Sequence, residues 1–121
     1  ARLADNGVSP SVVADQFGRL TFTEDLAAGI IHLVDATPSG IYNLTNDGPT
    51  QSWADIAKQV FELRGRSADD ITETTTAEYS AGKPVAPRPR CSTLDLGRLA
   101  DTGHSPCDAG QRLRLYLYDG S

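Results

Sequence analysis

Residues 12–27, VVADQFGRLTFTEDLA, form the stretch that decides the fold. Its β-branched start predicts a strand over residues 11–15, and a second short extended piece is predicted over 20–22. Thr23 is a candidate cap for a helix over 24–36, whose first turn carries two acidic side chains near the positive end of the helix dipole. The stretch therefore predicts a strand, a loop and a helix in close succession.

The loop that follows the first predicted strand is polar. Asp15 and Gln16 both need hydrogen-bond partners, and Gly18 allows the chain to turn. Loops held between rigid elements are common places for binding residues. Two interpretations follow: these side chains contact a ligand, or they hold backbone amides of the loop together.

The predicted helix over 24–36 is apolar around most of its circumference, so we expect it to be buried on several sides. A strand is predicted over 41–45 and another over 71–76, paired in parallel across an intervening helix. That helix begins after Ser52, and its apolar stripe includes Trp53, for which core packing is expected.

The remaining elements complete an α/β fold with a small mixed or parallel sheet and about four helices. A helix is predicted near residues 95–101, residues 108–118 fit either a helix or an alternating strand, and the proline-containing stretch 79–92 is expected to be irregular. With 121 residues, the chain is predicted to be a single domain, residues 1–121.

Composition narrows the possible partners. The net charge of −5, from 11 basic and 16 acidic residues, argues against nucleic acid. No apolar run reaches the roughly 18 residues that a membrane span needs. No signal peptide is recognised at the start of the sequence, so a cytoplasmic location is the expectation.

Two patterns that resemble functional motifs are interpreted as structural, and a third motif is absent from the sequence. Tyr79 and Lys83 have the Tyr-x-x-x-Lys spacing of a dehydrogenase, but Gly82 and Pro84 oppose a helix through the lysine. His104 and Cys107 are two possible metal ligands where zinc needs three or four. No glycine-rich turn follows a strand, as dinucleotide binding requires. We therefore expect no catalytic, cofactor-binding or metal-binding residue in this chain.

An arginine-rich segment, residues 83–98, stands out in an otherwise acidic protein. It carries four cationic side chains and one carboxylate, a local charge of about +3. Arginine presents a planar fork that suits phosphate oxygens. The segment either approaches a phosphorylated ligand or pairs its arginines with the surplus carboxylates of the chain.

Two motifs resemble those of dTDP-4-dehydrorhamnose reductases, which are extended short-chain dehydrogenase/reductases. The first resembles V-x-D-Q-x-G-x-P-T, with Leu20 in place of the proline and with a downstream Asp25-Leu26-Ala27 match. The second, residues 88–95, resembles R-P-x-N-S-x-L-D, with Cys91 in place of the asparagine. The resemblance runs from residue 12 to about 118 and covers only the C-terminal, substrate-binding part of such a Rossmann-type reductase. It implies a helix near residues 108–118.

The resemblance implies a set of site residues. Asp15 and Gly18 would support the loop. The residues that would contact a nucleotide-sugar substrate are Gln16, Phe17, Thr21, Arg88 and Ser92.

The resemblance also implies partners that lie outside this chain. An N-terminal domain would bind NADPH or NADH, and the intact enzyme would transfer hydride to the C4 ketone of dTDP-4-dehydro-L-rhamnose. The chain alone is expected to be inactive, and it could form a homo-oligomer through exposed apolar surface. The alternatives are a non-catalytic regulatory subunit of the same fold, or a related nucleotide-sugar epimerase or dehydratase.

Overall fold

The structure, a computed structural model, describes residues 1–35 and 38–119. Helices form most of the regular structure in these ranges, and two short ones add to the roughly four that were expected. The helices are α1 (Arg2–Asp5), α2 (Thr23–Val34), α3 (Trp53–Leu63), α4 (Thr76–Ser80), α5 (Gly97–Asp101) and α6 (Ala109–Asp119), with a short 3-10 helix at Ala68–Asp70. None of them, within the described ranges, is long and apolar enough to span a membrane.

Two separate two-stranded sheets accompany the helices. β1 (Ser11–Val13) pairs in parallel with β4 (Thr72–Thr74), and α3 lies in the crossover between them. β2 (Phe17–Gly18) pairs in antiparallel fashion with β3 (Gln51–Ser52). The α/β class is confirmed, with very short strands.

The predicted pairing of residues 41–45 with residues 71–76 is wrong. Residues 41–45 belong to no strand, and the parallel partner of β4 is β1. The extended piece expected over 20–22 is irregular as well, because the strand lies earlier, at β2. Pairing depends on which segments meet in space, and the local β propensity of a segment does not carry that information.

The helix α3 begins where its capping box predicts. The Ser52 hydroxyl accepts the Asp55 backbone N–H, and the Asp55 carboxylate accepts the Ser52 backbone N–H, both at 3.1 Å. This reciprocal pair satisfies two of the donors that a helix start leaves free. The prediction of a helix from this local signal is confirmed.

A small apolar core lies between α1, α3 and the residue before β4. Ala4, Phe61 and Ile71 are buried together, with Val12 and Ala57 packed against them. Val12 belongs to β1 and Ile71 directly precedes β4, so the core contacts both strands that the crossover through α3 connects. It therefore fixes the position of β1 and of the loop that follows β1.

The helix α2 is not buried on its apolar sides, as had been expected. Ile31 and Val34 are 73% and 77% exposed, whereas Asp25 and Gly29 are buried. Its cap also differs from the prediction: the N-cap is Phe22, and Thr23 is the first helical residue. The last predicted residue, 36, lies outside the described residues.

A polar network fixes α2 to the rest of the molecule. Nε and Nη2 of Arg112 each donate to one oxygen of the Asp25 carboxylate at 2.8 Å. The amide of Asn46, which is fully buried, donates to Asp25 at 2.7 Å and to the Cys107 carbonyl at 3.0 Å, and it accepts the Phe22 backbone N–H. The network ties the start of α2 to α6 and to the loop around residue 46.

This network keeps Asp25 ionised. Burial alone raises the pKa of the Asp25 carboxyl, but the hydrogen bonds from Arg112 and Asn46 outweigh that effect, so its pKa lies below the ordinary value. A buried carboxylate with three donors is satisfied. The inward face of α2 is therefore held by charge and hydrogen bonding as well as by packing.

Candidate functional site

A surface groove made of two hollows lies where the sequence motifs converge. One hollow has a volume of about 500 Å³ and the other about 420 Å³. They share Gln16, Trp53 and Arg88 as lining residues, so they are neighbouring compartments of one groove. A groove of this size suits a small organic ligand.

The two compartments differ in size and in part of their lining. The larger one is mainly apolar, and its lining includes Val12, Val13, Tyr79 and Val85. The smaller one adds Phe17, Pro89 and Ser92 to the three shared residues. Gln16 and Arg88 bring an amide and a guanidinium group to both compartments, and each compartment is otherwise mainly apolar.

The polar loop is fixed against the start of α4. Asp15 Oδ1 accepts the Thr76 backbone N–H at 2.8 Å and the Thr76 hydroxyl at 2.6 Å. The Gln16 amide donates to the same hydroxyl oxygen at 3.1 Å. The hydrogen bond from the Thr76 side chain is the main reason that the pKa of Asp15 lies below its ordinary value. Asp15 holds the loop, and Gln16 beside it reaches the groove.

The arginine-rich segment is joined directly to β2. The Phe17 backbone N–H donates to the Arg90 carbonyl at 2.7 Å, and the Ser92 N–H donates to the Phe17 carbonyl at 2.9 Å. A Cβ at Gly18 would lie 2.8 Å from the Ser92 hydroxyl, so the two segments approach closely at this glycine. The sequence motifs at residues 15–18 and 88–92, more than 70 residues apart, meet here.

Arg88 is the free cation of the groove. It lines both hollows, and within residues 1–35 and 38–119 its guanidinium makes no hydrogen bond or ion pair. Its planar fork is therefore available for a bidentate contact with an anion. This is the feature of the groove that most limits the kind of ligand it can take.

Trp53 lies in the groove, and the expectation of core packing for it is wrong. The side chain is 39% exposed and lines both hollows. Its backbone N–H donates to the Gln16 carbonyl at 3.2 Å, which holds the first residue of α3 beside the polar loop. Helical spacing placed Trp53 on the apolar stripe, but a residue at the helix start can face the adjoining loop.

Tyr79 was also not expected as a lining residue. The helix α4 ends at Ser80, and Gly82 has a φ of +71°, so Tyr79 and Lys83 do not share a helical turn. No helix runs through the lysine, as Gly82 and Pro84 predict. Instead, the Lys83 ammonium lies 4.5 Å from the centroid of the Tyr79 ring, a cation–π contact.

The remaining candidates lie away from the groove. The Thr21 hydroxyl is hydrogen-bonded to that of Thr45 and lines neither hollow, so a substrate contact by Thr21 stays a prediction. His104 stacks on His32 with ring centroids 5.0 Å apart. The described residues contain no group of three or more side chains placed to hold a metal ion.

The short paired strands, the crossover helix and the open groove define a domain of the α/β class with a surface groove of ligand size. Over residues 1–119 the chain matches the family model described as the RmlD substrate binding domain. The chain belongs to this family, that of the dTDP-4-dehydrorhamnose reductases.

Individual relatives agree with this assignment. The chain is 35% identical over 120 residues to the spore coat polysaccharide biosynthesis protein SpsK of Bacillus subtilis (strain 168), covering 99% of this chain and 40% of that protein. It is 39% identical over 100 residues to a dTDP-4-dehydrorhamnose reductase of Streptomyces griseus, covering 78% and 32%. The chain thus spans about two fifths or less of the length of these relatives.

Solved structures show the same fold. The dTDP-4-dehydrorhamnose reductase of Bacillus anthracis, in complex with NADP, superposes with a TM-score of 0.81 at 27% identity, over 99% of this chain and 41% of that one. The ortholog from Clostridium acetobutylicum gives a TM-score of 0.81 at 31% identity, over 96% and 40%. These structures support the assignment to a reductase family with a Rossmann-like fold.

Proposed function

We propose that the chain is the nucleotide-sugar-binding portion of an NAD(P)H-dependent dTDP-4-dehydrorhamnose reductase. Its substrate would be dTDP-4-dehydro-L-rhamnose, bound in the groove that Gln16, Trp53 and Arg88 line. The observation that carries the proposal is the position of Arg88, whose guanidinium lines both compartments of the groove and is unpaired among the described residues.

A nucleotide sugar matches the lining of the groove. Its diphosphate is the anion for which Arg88 has free donors. One end of the ligand is a flat base, which suits an apolar compartment with Trp53 and Tyr79, and the other is a sugar, which suits the hydrogen-bonding groups of Gln16 and Ser92. Asp15 and Gly18 act on the ligand only through the loop.

The chemical step would belong to residues outside this chain. The sequence has no glycine-rich turn after a strand, and its Tyr-x-x-x-Lys spacing at Tyr79 and Lys83 does not lie on one helix. The relative from Bacillus anthracis, which binds NADP, is about 2.5 times as long as the matched region. NADPH would supply the hydride, and this chain would position the sugar. Mixing the chain with NADPH and substrate should give no oxidation of NADPH.

Calorimetric titration of the 121-residue chain tests the binding proposal. dTDP-rhamnose should bind, and UDP-glucose should bind at least about tenfold more weakly. Replacing Arg88 by methionine removes the charge but keeps an apolar stem, and it should weaken dTDP-rhamnose binding about tenfold. Arg114→Met is the matched control, because Arg114 is an exposed arginine on α6 that does not line the groove.

The proposal is wrong if both sugar nucleotides bind equally well, or if the two arginine variants weaken binding to the same extent. Loss of charge anywhere on the surface would then explain the effect, and the groove would have no special role.

A further inference from the structure

Three polar side chains at the edge of the groove, Asp15, Thr76 and Gln16, form one hydrogen-bonded series, the Thr76 relay. The Thr76 hydroxyl lies 2.6 Å from Asp15 Oδ1 and 3.1 Å from Gln16 Nε2. The Thr76 backbone N–H also donates to Asp15 Oδ1, at 2.8 Å. Thr76 lines the larger hollow, and Gln16 lines both. The relay therefore connects a carboxylate with a side chain that a ligand in the groove would meet.

The number of available protons fixes the direction of both hydrogen bonds of the hydroxyl. The pKa of Asp15 lies below its ordinary value, chiefly because of the hydrogen bond from the Thr76 side chain, so near neutral pH this carboxylate can only accept. The Thr76 hydroxyl has one proton, and the contact with Asp15 uses it. Towards Gln16 the hydroxyl oxygen can then only accept, so the Gln16 amide must turn its NH2 group to Thr76.

The opposite orientation of the Gln16 amide would leave one of these contacts without a proton. Oε1 would then take the place of Nε2, 3.1 Å from the Thr76 hydroxyl oxygen. Three oxygen atoms would share a single proton, and one of the two contacts would be repulsive. The network therefore sets the orientation of the amide. It leaves Gln16 Oε1 as an acceptor that makes no hydrogen bond within residues 1–35 and 38–119.

We propose that Thr76 is a positioning residue for the ligand: it holds the Gln16 amide with Oε1 free, and Oε1 accepts a hydroxyl of the sugar. The Gln16 main chain is fixed separately, because its carbonyl accepts the Trp53 N–H at 3.2 Å. A free acceptor suits hydroxyl groups and disfavours phosphate and ketone oxygens, which have no proton to donate. The inference rests on the proposed function for the identity of the ligand, whereas the orientation of the amide does not depend on it.

Three variants of the 121-residue chain separate the relay from the stability of the surrounding segment. Thr76→Val keeps the shape of the side chain and the backbone N–H that binds Asp15, but it removes the hydroxyl. Thr76→Ser keeps the hydroxyl. Thr74→Val is the matched control, because the Thr74 hydroxyl donates to Glu78 at 3.1 Å and Thr74 does not line the groove.

Calorimetric titration with dTDP-rhamnose and with dTDP measures the effect on the sugar. Thr76→Val should weaken dTDP-rhamnose binding about tenfold and dTDP binding less than about twofold, because dTDP has no sugar beyond its diphosphate. Thr76→Ser and Thr74→Val should each stay within about twofold of the parent chain. The proposal is overturned if Thr76→Val leaves sugar binding unchanged or weakens both ligands equally, or if either of the other variants weakens sugar binding as much.

Nuclear magnetic resonance of the ligand-free chain tests the amide orientation itself. The side-chain NH2 signal of Gln16 should move upfield in Thr76→Val, because the hydrogen bond from Nε2 to the hydroxyl is lost. The same signal should stay in place in Thr74→Val. An unchanged signal in Thr76→Val, or an equal movement in the two variants, overturns the proposal, because the NH2 group would then not face Thr76.

The two measurements distinguish this inference from the proposed function. If the parent chain binds neither nucleotide while the Gln16 signal moves only in Thr76→Val, the proposed ligand is wrong and the positioning of the amide by Thr76 is confirmed. If dTDP-rhamnose binds while the Gln16 signal does not respond to Thr76→Val, the proposed function is supported and this inference is wrong.

Discussion

Replacing Arg112 by methionine should unfold the domain at a clearly lower denaturant concentration. The guanidinium makes two hydrogen bonds of 2.8 Å to the Asp25 carboxylate, which is only 8% exposed. Methionine keeps much of the apolar stem and removes both donors. Asp25 would then retain one donor, the amide of Asn46.

The magnitude follows from these contacts. Each hydrogen bond to a charged group contributes about 1.5–3 kcal/mol, and breaking a buried ion pair on one side costs about 3–5 kcal/mol. Because Asn46 still binds Asp25 and the Arg112 side chain is 20% exposed, we expect a loss near the lower limit, about 3 kcal/mol. Glu24, at the same arginine but 74% exposed, should contribute at most about 0.5 kcal/mol.

Urea unfolding followed by circular dichroism at 222 nm measures both quantities. The free energy of unfolding falls by about 1–3 kcal/mol per molar urea, so Arg112→Met should lower the urea midpoint by about 1–3 M. Glu24→Gln should shift the midpoint by about a few tenths of a molar at most. A loss below about 1 kcal/mol for Arg112→Met, or equal losses for the two variants, would refute the reasoning that the buried pair fixes α2.

Three further predictions concern the fold. Ser52→Ala removes half of the capping box of α3 and should cost about 1 kcal/mol in the free energy of urea unfolding. Gly48→Ala should cost more than Gly65→Ala in the same assay, because both have positive φ but only the Gly48 Cβ would meet another atom, Asp108 Oδ2 at 2.6 Å; equal losses would contradict the close approach. The pKa of Asp25 is below its ordinary value of 3.8 in the folded state, so its stabilisation is complete above about pH 3.8 and is lost as the pH falls through the folded value. Asp25→Asn should flatten this acid-side loss in pH-dependent thermal melts.

Features encoded by neighbouring residues could be predicted from the sequence. The capping box of Ser52 and Asp55 specifies the start of α3 within four residues. Gly82, with its positive φ, separates Lys83 from α4 as its residue type suggests. Such signals need no knowledge of the tertiary fold, which is why they were reliable.

Part of the candidate site could be predicted because its residues belong to two motifs of a known family. The two family motifs named Gln16, Phe17, Arg88 and Ser92, and the structure brings these four residues to one groove. Their meeting depends on the backbone bridge between β2 and the arginine-rich segment, which composition alone does not show. Trp53 was missed because helical periodicity does not tell whether the first residue of a helix faces the core or the adjoining loop.

The direction in which α2 is buried could not be predicted, and the reason is physical. A helix pattern identifies an apolar face, and the default inference is that this face points inward. Here the inward direction is fixed by Asn46 and Arg112, which lie 21 and 87 residues from Asp25 along the chain. Such distant partners leave no periodic signal. The polar anchor therefore fixes α2 through its buried Asp25 and leaves the apolar side chains of Ile31 and Val34 facing outward.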